Sequence, residues 1–265
     1  MGSTEGRARF RRVRAVTLAA LASLATLALI GSSAFGQTVR AGNLIVTVEG
    51  GFTPHKLPRT DPASITLSAR STIRTADGTH LPALDKLHLF FDKHTGVNTK
   101  GLPSCTINQL KNTLTVQAKR ICPGAIIGSG QAGAEISFPD QEPFFAKAPM
   151  VIFNGPPKHG HPVFIFHVYA HVPAPTTFIT TAEISKSSGL YGTSVYIKIP
   201  TIVAGQGSLS FAEFSIHKLW KYKGKEQTLL YGTCPSGHFY VRGALTFKGG
   251  FKMAGKVVRS CSPSS

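Results

Sequence analysis

The sequence predicts an all-β protein, an antiparallel β-sandwich or jelly-roll-like fold, and three observations support this. Apolar and polar residues alternate with period two in several stretches, no long helical pattern occurs, and 27 Gly and 17 Pro supply turns. In one clear stretch, Ile65, Leu67 and Ala69 alternate with Thr66 and Ser68. This pattern buries one face of a strand and leaves the other in water. Similar stretches predict strands at residues 43–49, 65–74, 86–92, 131–138, 149–154, 162–172, 176–185, 193–199, 207–216, 238–248 and 251–259.

The last two predicted strands are joined by Gly249-Gly250, a pair typical of a two-residue hairpin turn. Such a turn would place Lys248 opposite Phe251. It would also place Cys261 opposite His238, at the open end of the hairpin.

One segment, Thr106 to Arg120, has a helical pattern and lies between the first two cysteines. Thr106 can cap its start. We expect one or two short helical turns on a connection that a disulfide fixes. The predicted apolar face consists of Ile107, Leu110, Leu114, Val116 and Ile121.

The N-terminus has the three-part pattern of a secretory signal peptide. Five arginines between residues 7 and 14 precede the uncharged run Ala15–Ile30, and small residues up to Gly36 follow it. The alternative is a retained anchor, but the run holds 16 residues and a membrane span needs about 20. We therefore predict a cleaved signal at residues 1–36 and a single secreted domain at residues 37–265. No later apolar run is long enough to span a membrane, and we expect the protein in the cell envelope or outside the cell.

The predicted mature domain is strongly basic. Residues 1–36 hold five of the 29 Lys+Arg and one of the 12 Asp+Glu, which leaves a net charge of +13. This charge favours a polyanionic partner, such as an anionic cell-wall polymer or an acidic polysaccharide. Simple solubility is the alternative explanation. No motif for specific nucleic-acid binding occurs.

All four cysteines lie in the predicted mature domain, and an even count in an exported protein predicts two disulfides. Three pairings are possible. We favour Cys105–Cys122 and Cys234–Cys261 because each of them closes a local loop, and the hairpin at Gly249-Gly250 brings the second pair together.

No pattern identifies a catalytic or cofactor site. Gly128-Ser-Gly130-Gln-Ala-Gly133 matches a dinucleotide-binding string, but a strand follows it where a helix is needed. We expect a turn or bulge there and no cofactor. His159 and His161 are the candidates for a metal site, although they lie in a Pro/Gly-rich loop and no third ligand is apparent.

Other reactive residues are better explained as surface positions. Glu135 and Glu183 are predicted on separate strands, facing away from the core, and no G-x-S-x-G motif occurs. On the predicted strand at residues 162–172, His167 and His171 share the polar face. We interpret them as the solvent side of an ordinary strand.

Several short motifs resemble, in their order, a group of exported β-rich proteins from high-GC Gram-positive (actinobacterial) bacteria. They are Phe52-Thr-Pro54, Ala76-Asp77-Gly78, Gly101-Leu-Pro-Ser-Cys105, Cys122-Pro-Gly-Ala125 and Cys234-Pro235. The resemblance implies one extracellular β-rich unit with two disulfides. It implies no activity, cofactor or site residue.

The sequence therefore predicts an exported, disulfide-stabilised basic protein that binds a partner or has a structural role in the envelope. The absence of a catalytic pattern favours a non-enzymatic role. The alternative is a secreted hydrolase, a glycosidase or an esterase, whose catalytic residues are far apart in the sequence.

Overall fold

The computed structural model describes residues 36–264, and the predicted signal peptide lies outside this range except for Gly36. The described residues confirm the all-β, antiparallel class. The elements are β1 (Gln37–Ala41), β2 (Leu44–Thr53), β3 (Lys56–Pro58), β4 (Ala63–Ser64), β5 (Thr66–Thr75), β6 (Leu84–Asp92), β7 (Thr95–Val97), α1 (Ile107–Leu110), α2 (Thr115–Ile121), β8 (Ile126–Ile136), β9 (Phe144–Lys158), β10 (His161–Ala170), β11 (Thr176–Lys186), β12 (Tyr191–Lys198), β13 (Gly207–Ile216), β14 (Leu219–Tyr222), β15 (Lys225–Thr228), β16 (Leu230–Gly232), β17 (His238–Phe247), β18 (Lys252–Ser260) and β19 (Ser262–Ser264).

One large sheet dominates the fold. It has twelve strands in the order β1-β2-β5-β13-β8-β9-β10-β11-β12-β6-β17-β18. Strands β8 to β12 follow one another as a meander, whereas β13 and β6 are inserted beside strands distant in the sequence. The sheet curls until its two edge strands meet. The contact of the Val39 side chain in β1 with Gly255 in β18 shows this. The sheet is therefore nearly closed and encloses an interior.

The two ends of this sheet differ. We call one the disulfide end, since Cys105–Cys122 and Cys234–Cys261 both lie there, at the starts of β8 and β17. The short pairings β4-β16-β7 and β19-β3 and the β14-β15 hairpin belong to connections at the same end. We call the other the mouth end. Its loops are residues 42–43, 76–83, 137–143, 171–175, 199–206 and 248–251.

Separate apolar clusters fill the interior toward each end. Phe52, Leu57 and Phe239 belong to the larger cluster, together with the buried disulfide Cys234–Cys261. The rings of Phe52 and Phe239 meet edge to face at 5.2 Å. At the mouth end, Leu81 is buried in a second cluster with residues of β2, β5, β17 and β18. The middle of the interior is less completely filled.

The helical prediction for residues 106–120 is confirmed in outline. Thr106 and Gln109 form a capping box at the start of α1, with Gln109 N donating to Thr106 Oγ1 at 3.3 Å. The Cys105–Cys122 disulfide closes the segment, which covers the outer face of β9 and β10. The predicted apolar face is wrong, because Leu110 is the one buried member of the five. Ile107, Leu114, Val116 and Ile121 are exposed, while Ala118 takes the second buried position.

The predicted register of the last hairpin is wrong by one residue. His238 pairs with Ser260 rather than with Cys261, and Phe247 N donates to Phe251 O at 2.9 Å. The loop therefore has three residues, with both Gly249 and Gly250 at positive φ. A three-residue loop is a common hairpin connection, so the glycines identified the turn but not its length.

Candidate functional site

The inner face of the large sheet is apolar, yet many of its side chains are only partly buried. Phe166 and Val168 in β10 and Val195 and Ile197 in β12 point inward, and each retains some solvent exposure. They line a cavity of about 240 Å³ in the interior. Inward-facing residues of a filled core would be fully buried. The partial exposure therefore reflects an unfilled space.

Short side chains on three neighbouring strands create this space. Ala132 in β8 pairs with Ala148 in β9 and with Ala212 in β13, and Ala134 pairs with Ala146. We call these five residues the alanine wall. All five line the cavity, and leucines of β6 and β-branched residues of β12 line other parts of it. A side chain of one carbon leaves room that a Leu or Ile at the same position would fill.

Close strand contacts position the alanine wall. A Cβ on Gly130 would lie 1.9 Å from the carbonyl oxygen of Glu213 on the adjacent strand, and one on Gly128 would lie 2.4 Å from that of Ser215. The glycine string at residues 128–133 therefore serves strand packing within β8, with a register shift between Ile126 and Gly128. This register shift agrees with the predicted bulge, and the string lies within a strand.

The cavity offers almost no polar chemistry. Among the described residues that line it, Thr95, Thr180 and Thr193 are the polar ones, and none is ionisable. The hydroxyl of Thr180 donates to Lys198 O at 2.6 Å, and that of Thr95 donates to Asp92 O at 2.8 Å. These donors are already occupied, so the wall would present mainly hydrocarbon to a ligand.

The cavity reaches the surface at the mouth end. Val172 in the β10–β11 loop lines it and is 53% exposed. Ile202 and Val203 line it from the segment between β12 and β13. Val203 and Ala204 have φ of 46° and 52°, in the left-handed region that L-residues disfavour. A strained turn therefore forms part of the rim, and such strain is found most often at functional sites.

A second, more polar cavity of about 380 Å³ adjoins the first at the mouth end. His80, Ser208 and Lys248 line it, as does Thr201. The two cavities share four lining residues, Ile199, Pro200, Ile202 and Leu209.

A serine, a histidine and a glutamate meet at this second cavity. His80 Nε2 lies 3.5 Å from Ser208 Oγ, and His80 Nδ1 lies 2.5 Å from Glu135 Oε1. The order of these atoms is that of a hydrolase triad. However, Ser208 is buried and its hydroxyl donates to Leu81 O at 2.6 Å, while Glu135 also accepts from Leu81 N at 3.2 Å. In this arrangement the three side chains hold the loop at residues 76–83 across the end of the sheet.

The outer face of β12, β6, β17 and β18 carries a concentration of positive charge. We call it the basic face. Cross-strand register aligns Lys198 with Lys86, and Phe90 with Arg242 and Lys256. The Arg242 guanidinium lies 5.6 Å from the Phe90 ring centroid. Its charged residues are Lys86, Lys198, Arg242, Lys252 and Lys256.

Aromatic rings lie between these charges. The ring centroid of His88 lies 4.2 Å from that of Phe90, with the two rings tilted by 36°, and meets Tyr196 edge to face at 6.0 Å. Burial and, secondarily, the positive charge of Arg242 lower the pKa of His88. His88 therefore contributes a neutral ring to the basic face at neutral pH.

The structure contradicts the predicted solvent position of His167. This residue is fully buried beneath the helical segment, and its Nε2 lies 3.0 Å from Thr113 Oγ1 and 3.1 Å from Thr113 O. Burial lowers its pKa. The alternation placed His167 correctly on the outer face, but a distant helical segment covers that face.

The remaining candidate residues are dispersed. His159 lies in the β9–β10 turn with φ of 51°, and His161 begins β10 opposite Lys158. Within residues 36–264, no group of three His, Cys, Asp or Glu side chains is placed to hold a metal ion. Glu183 pairs with Lys158 at 2.6 Å on β11, separated from Glu135 on β8 by two strands.

Both favoured disulfides are present, Cys105–Cys122 and Cys234–Cys261. No helix in the described part of the chain is long and apolar enough to cross a membrane. The chain matches no protein-family model, no curated protein and no solved structure.

Sequence reasoning missed the cavity and its alanine wall. One signal was available, because Ala132 and Ala134 occupy successive inward positions of a strand, as do Ala146 and Ala148. When two neighbouring strands each place two successive alanines on the inner face, the side chains there are too small to fill the core. Only the pairing of β8 with β9 shows that the two pairs are neighbours.

Proposed function

We propose that this chain is an exported, non-enzymatic binding protein that holds an apolar ligand inside its curled sheet. The observation that carries the proposal is the hydrocarbon-lined cavity of about 240 Å³, which opens at the mouth end. Unfilled apolar space costs dispersion contacts, and apolar cavities of ~150 Å³ stay dry and bind small hydrocarbons. A ligand in this cavity would restore those contacts.

The lining supports binding rather than turnover. Acid–base and nucleophilic catalysis need ionisable or activated groups beside the reacting atoms. Three threonines are the polar groups on the cavity wall, and none of the described residues lining it can titrate. The signal-like N-terminus and the two disulfides support export to an oxidising compartment.

The test is a titration of the purified, oxidised full chain with N-phenyl-1-naphthylamine, a neutral fluorophore whose emission rises in apolar surroundings. We expect saturable binding that solution salt does not weaken. Absence of saturable binding to this probe and to medium-chain alkanols would refute the proposal.

A second candidate function is adhesion to an anionic envelope polymer, and the basic face favours it. The face combines five cationic side chains with rings of Phe90, His88 and Tyr196, and the two carboxylates on its four strands are Asp85, near Lys86, and the buried Asp92. Clustered cations attract polyanions, and aromatic rings offer surfaces on which sugars stack. An exported carrier could use this face to stay in the envelope.

The experiment is co-sedimentation with purified cell walls across a salt series. The variant Lys198→Ala/Arg242→Ala/Lys256→Ala should bind more weakly at low salt, by about two- to five-fold for each cation removed. The matched control Lys111→Ala/Lys119→Ala/Arg120→Ala removes the same charge from the exposed helical segment and should bind as the wild type does. Equal weakening of cell-wall binding in both variants would mean that binding depends on the net charge of the protein and not on the basic face.

A hydrolase is the alternative, and the Ser208–His80–Glu135 contacts favour it. A fluorophosphonate probe reacts with activated serines, so labelling that Ser208→Ala abolishes would support an esterase. Retained fluorophore binding without labelling supports the binding protein.

A further inference from the structure

The apolar cavity and the polar cavity are adjacent and differ in chemistry. They meet along Ile199, Pro200 and Ile202 in the segment that follows β12, and along Leu209 in β13. The inner space is hydrocarbon, whereas Lys248, His80 and Ser208 line the outer space. A ligand that fits both must itself have an apolar part and a polar part.

The charged residues at the outer cavity indicate which charge the polar part of a ligand would carry. Glu135 is the nearby acid, but its Oε1 already contacts His80 Nδ1 and accepts from Leu81 N. Ser208 donates to Leu81 O. Lys248 is exposed and lines this cavity, and its backbone N donates to Ala83 O at 2.8 Å. Among the described residues, no carboxylate lies within ion-pair distance of its ammonium group.

The surroundings of Lys248 add to this positive potential. Three lysines lie at the same end of the sheet in one row across neighbouring strands. Lys86 pairs with Lys198 on one side, and on the other side it pairs with Thr246, which in turn pairs with Lys252. Asp85 is the acid beside them, 3.7 Å from Lys86. An anionic group in the outer cavity would therefore approach cations from Lys248 and from the adjoining basic face.

We propose that the ligand is an amphiphile with an anionic headgroup, and a fatty acid is the simplest molecule of this kind. Its tail occupies the apolar cavity and its headgroup lies in the outer cavity beside Lys248. This inference rests on the proposed function and extends it, because the cavity alone would accept a neutral hydrocarbon equally well. The rim at Ile202 and Val203 lies where tail and headgroup join.

The test measures displacement of N-phenyl-1-naphthylamine from the full chain by dodecanoate and by dodecanol, which share one tail. The ratio of their two dissociation constants isolates the headgroup, since the tail contribution cancels. Lys248→Gln should shift this ratio against dodecanoate by about two- to five-fold at low salt. The control Lys111→Gln removes the same charge from the exposed helical segment, outside both cavities and away from the basic face, and should leave the ratio unchanged.

Chain length and salt give independent measurements. Each added methylene should tighten the binding of both series by about four-fold until the cavity is full. The headgroup effect should shrink as salt is raised, while the tail effect should not.

The outcomes separate the two proposals. Binding of probe and dodecanol with no shift of the ratio in Lys248→Gln, or with equal shifts in both lysine variants, overturns the headgroup inference and leaves the apolar binding function standing. Failure of the probe and of dodecanol to bind overturns the binding function, and the headgroup inference with it.

Discussion

Replacing Ala132 by Leu tests directly whether the interior holds unfilled space. Ala132 lies at the centre of the alanine wall, paired with Ala148 on one side and Ala212 on the other. If the cavity exists, the larger side chain enters it and stabilises the fold. If the interior is filled, the same side chain forces its neighbours apart, and the sign of the stability change is reversed.

The magnitude follows from the added hydrocarbon. Leu has three more carbons than Ala, and each buried methylene contributes about 0.8 kcal/mol. The cavity of about 240 Å³ can hold them, because a cavity of ~150 Å³ admits a benzene molecule. The lost rotamer freedom of Leu costs about 0.5–1 kcal/mol. We expect Ala132→Leu to raise the free energy of unfolding by about 1–2 kcal/mol and to weaken fluorophore binding.

A matched control uses the same substitution in a filled core. Ala118 in α2 is fully buried against the outer face of β9 and β10 and does not line the cavity. Ala118→Leu should lower the free energy of unfolding by about 1–3 kcal/mol, as overpacking does. Urea unfolding of the oxidised chains, followed by circular dichroism, measures both variants.

A loss of more than about 1 kcal/mol in Ala132→Leu with unchanged fluorophore binding would refute the reasoning. It would mean that the inner face is packed and that the ligand, if any, binds elsewhere. If Ala132→Leu stabilises the fold and leaves fluorophore binding unchanged, the ligand does not contact the alanine wall.

Three further predictions concern stability. The double variant Cys105→Ser/Cys122→Ser opens a loop of 17 positions and should lose about 3 kcal/mol in urea unfolding, and a loss under about 1 kcal/mol would contradict this. Burial lowers the pKa of His167 in the folded state. As the pH falls below about 6.5, the imidazole is therefore protonated in the unfolded chain before it is protonated in the folded one, and the free energy of unfolding decreases. His167→Gln should reduce that slope, which is at most about 1.4 kcal/mol per pH unit, and an identical slope would argue against a buried neutral imidazole. Because Ala204 has φ of 52°, Ala204→Gly should raise the unfolding free energy by about 0.5–1 kcal/mol, whereas a decrease would show that the turn is unstrained.

Local patterns were sufficient to predict the strands. Period-two alternation identified β5 and β17 closely and β8 with its start placed too late in the chain, and apolar runs identified most other strands of the large sheet. The side chains of a strand alternate by covalent geometry, so this information lies within a few neighbouring residues. Short or polar pieces such as β1, β14 and β19 lack that signal and were missed.

Patterns that depend on packing gave mixed results. The helical segment was expected, but of its predicted apolar face only Leu110 is buried, because α2 turns Ala118 rather than Val116 or Ile121 toward the sheet. His167 was placed on the correct face of β10 and assigned to solvent. A segment about fifty positions earlier covers it, and no local pattern reports such a contact.

By itself, the sequence determined the all-β class, the positions of the main strands and turns, the local disulfide loops and a strongly basic chain. Each of these depends on residue type, short-range spacing or total charge. The tertiary structure decided the strand order, which inserts β6 and β13 beside distant partners. It thereby decided where the alanines meet and where the lysines align. The cavity and the basic face arise from side chains brought together by non-local pairing, and their chemistry becomes visible only when that pairing is known.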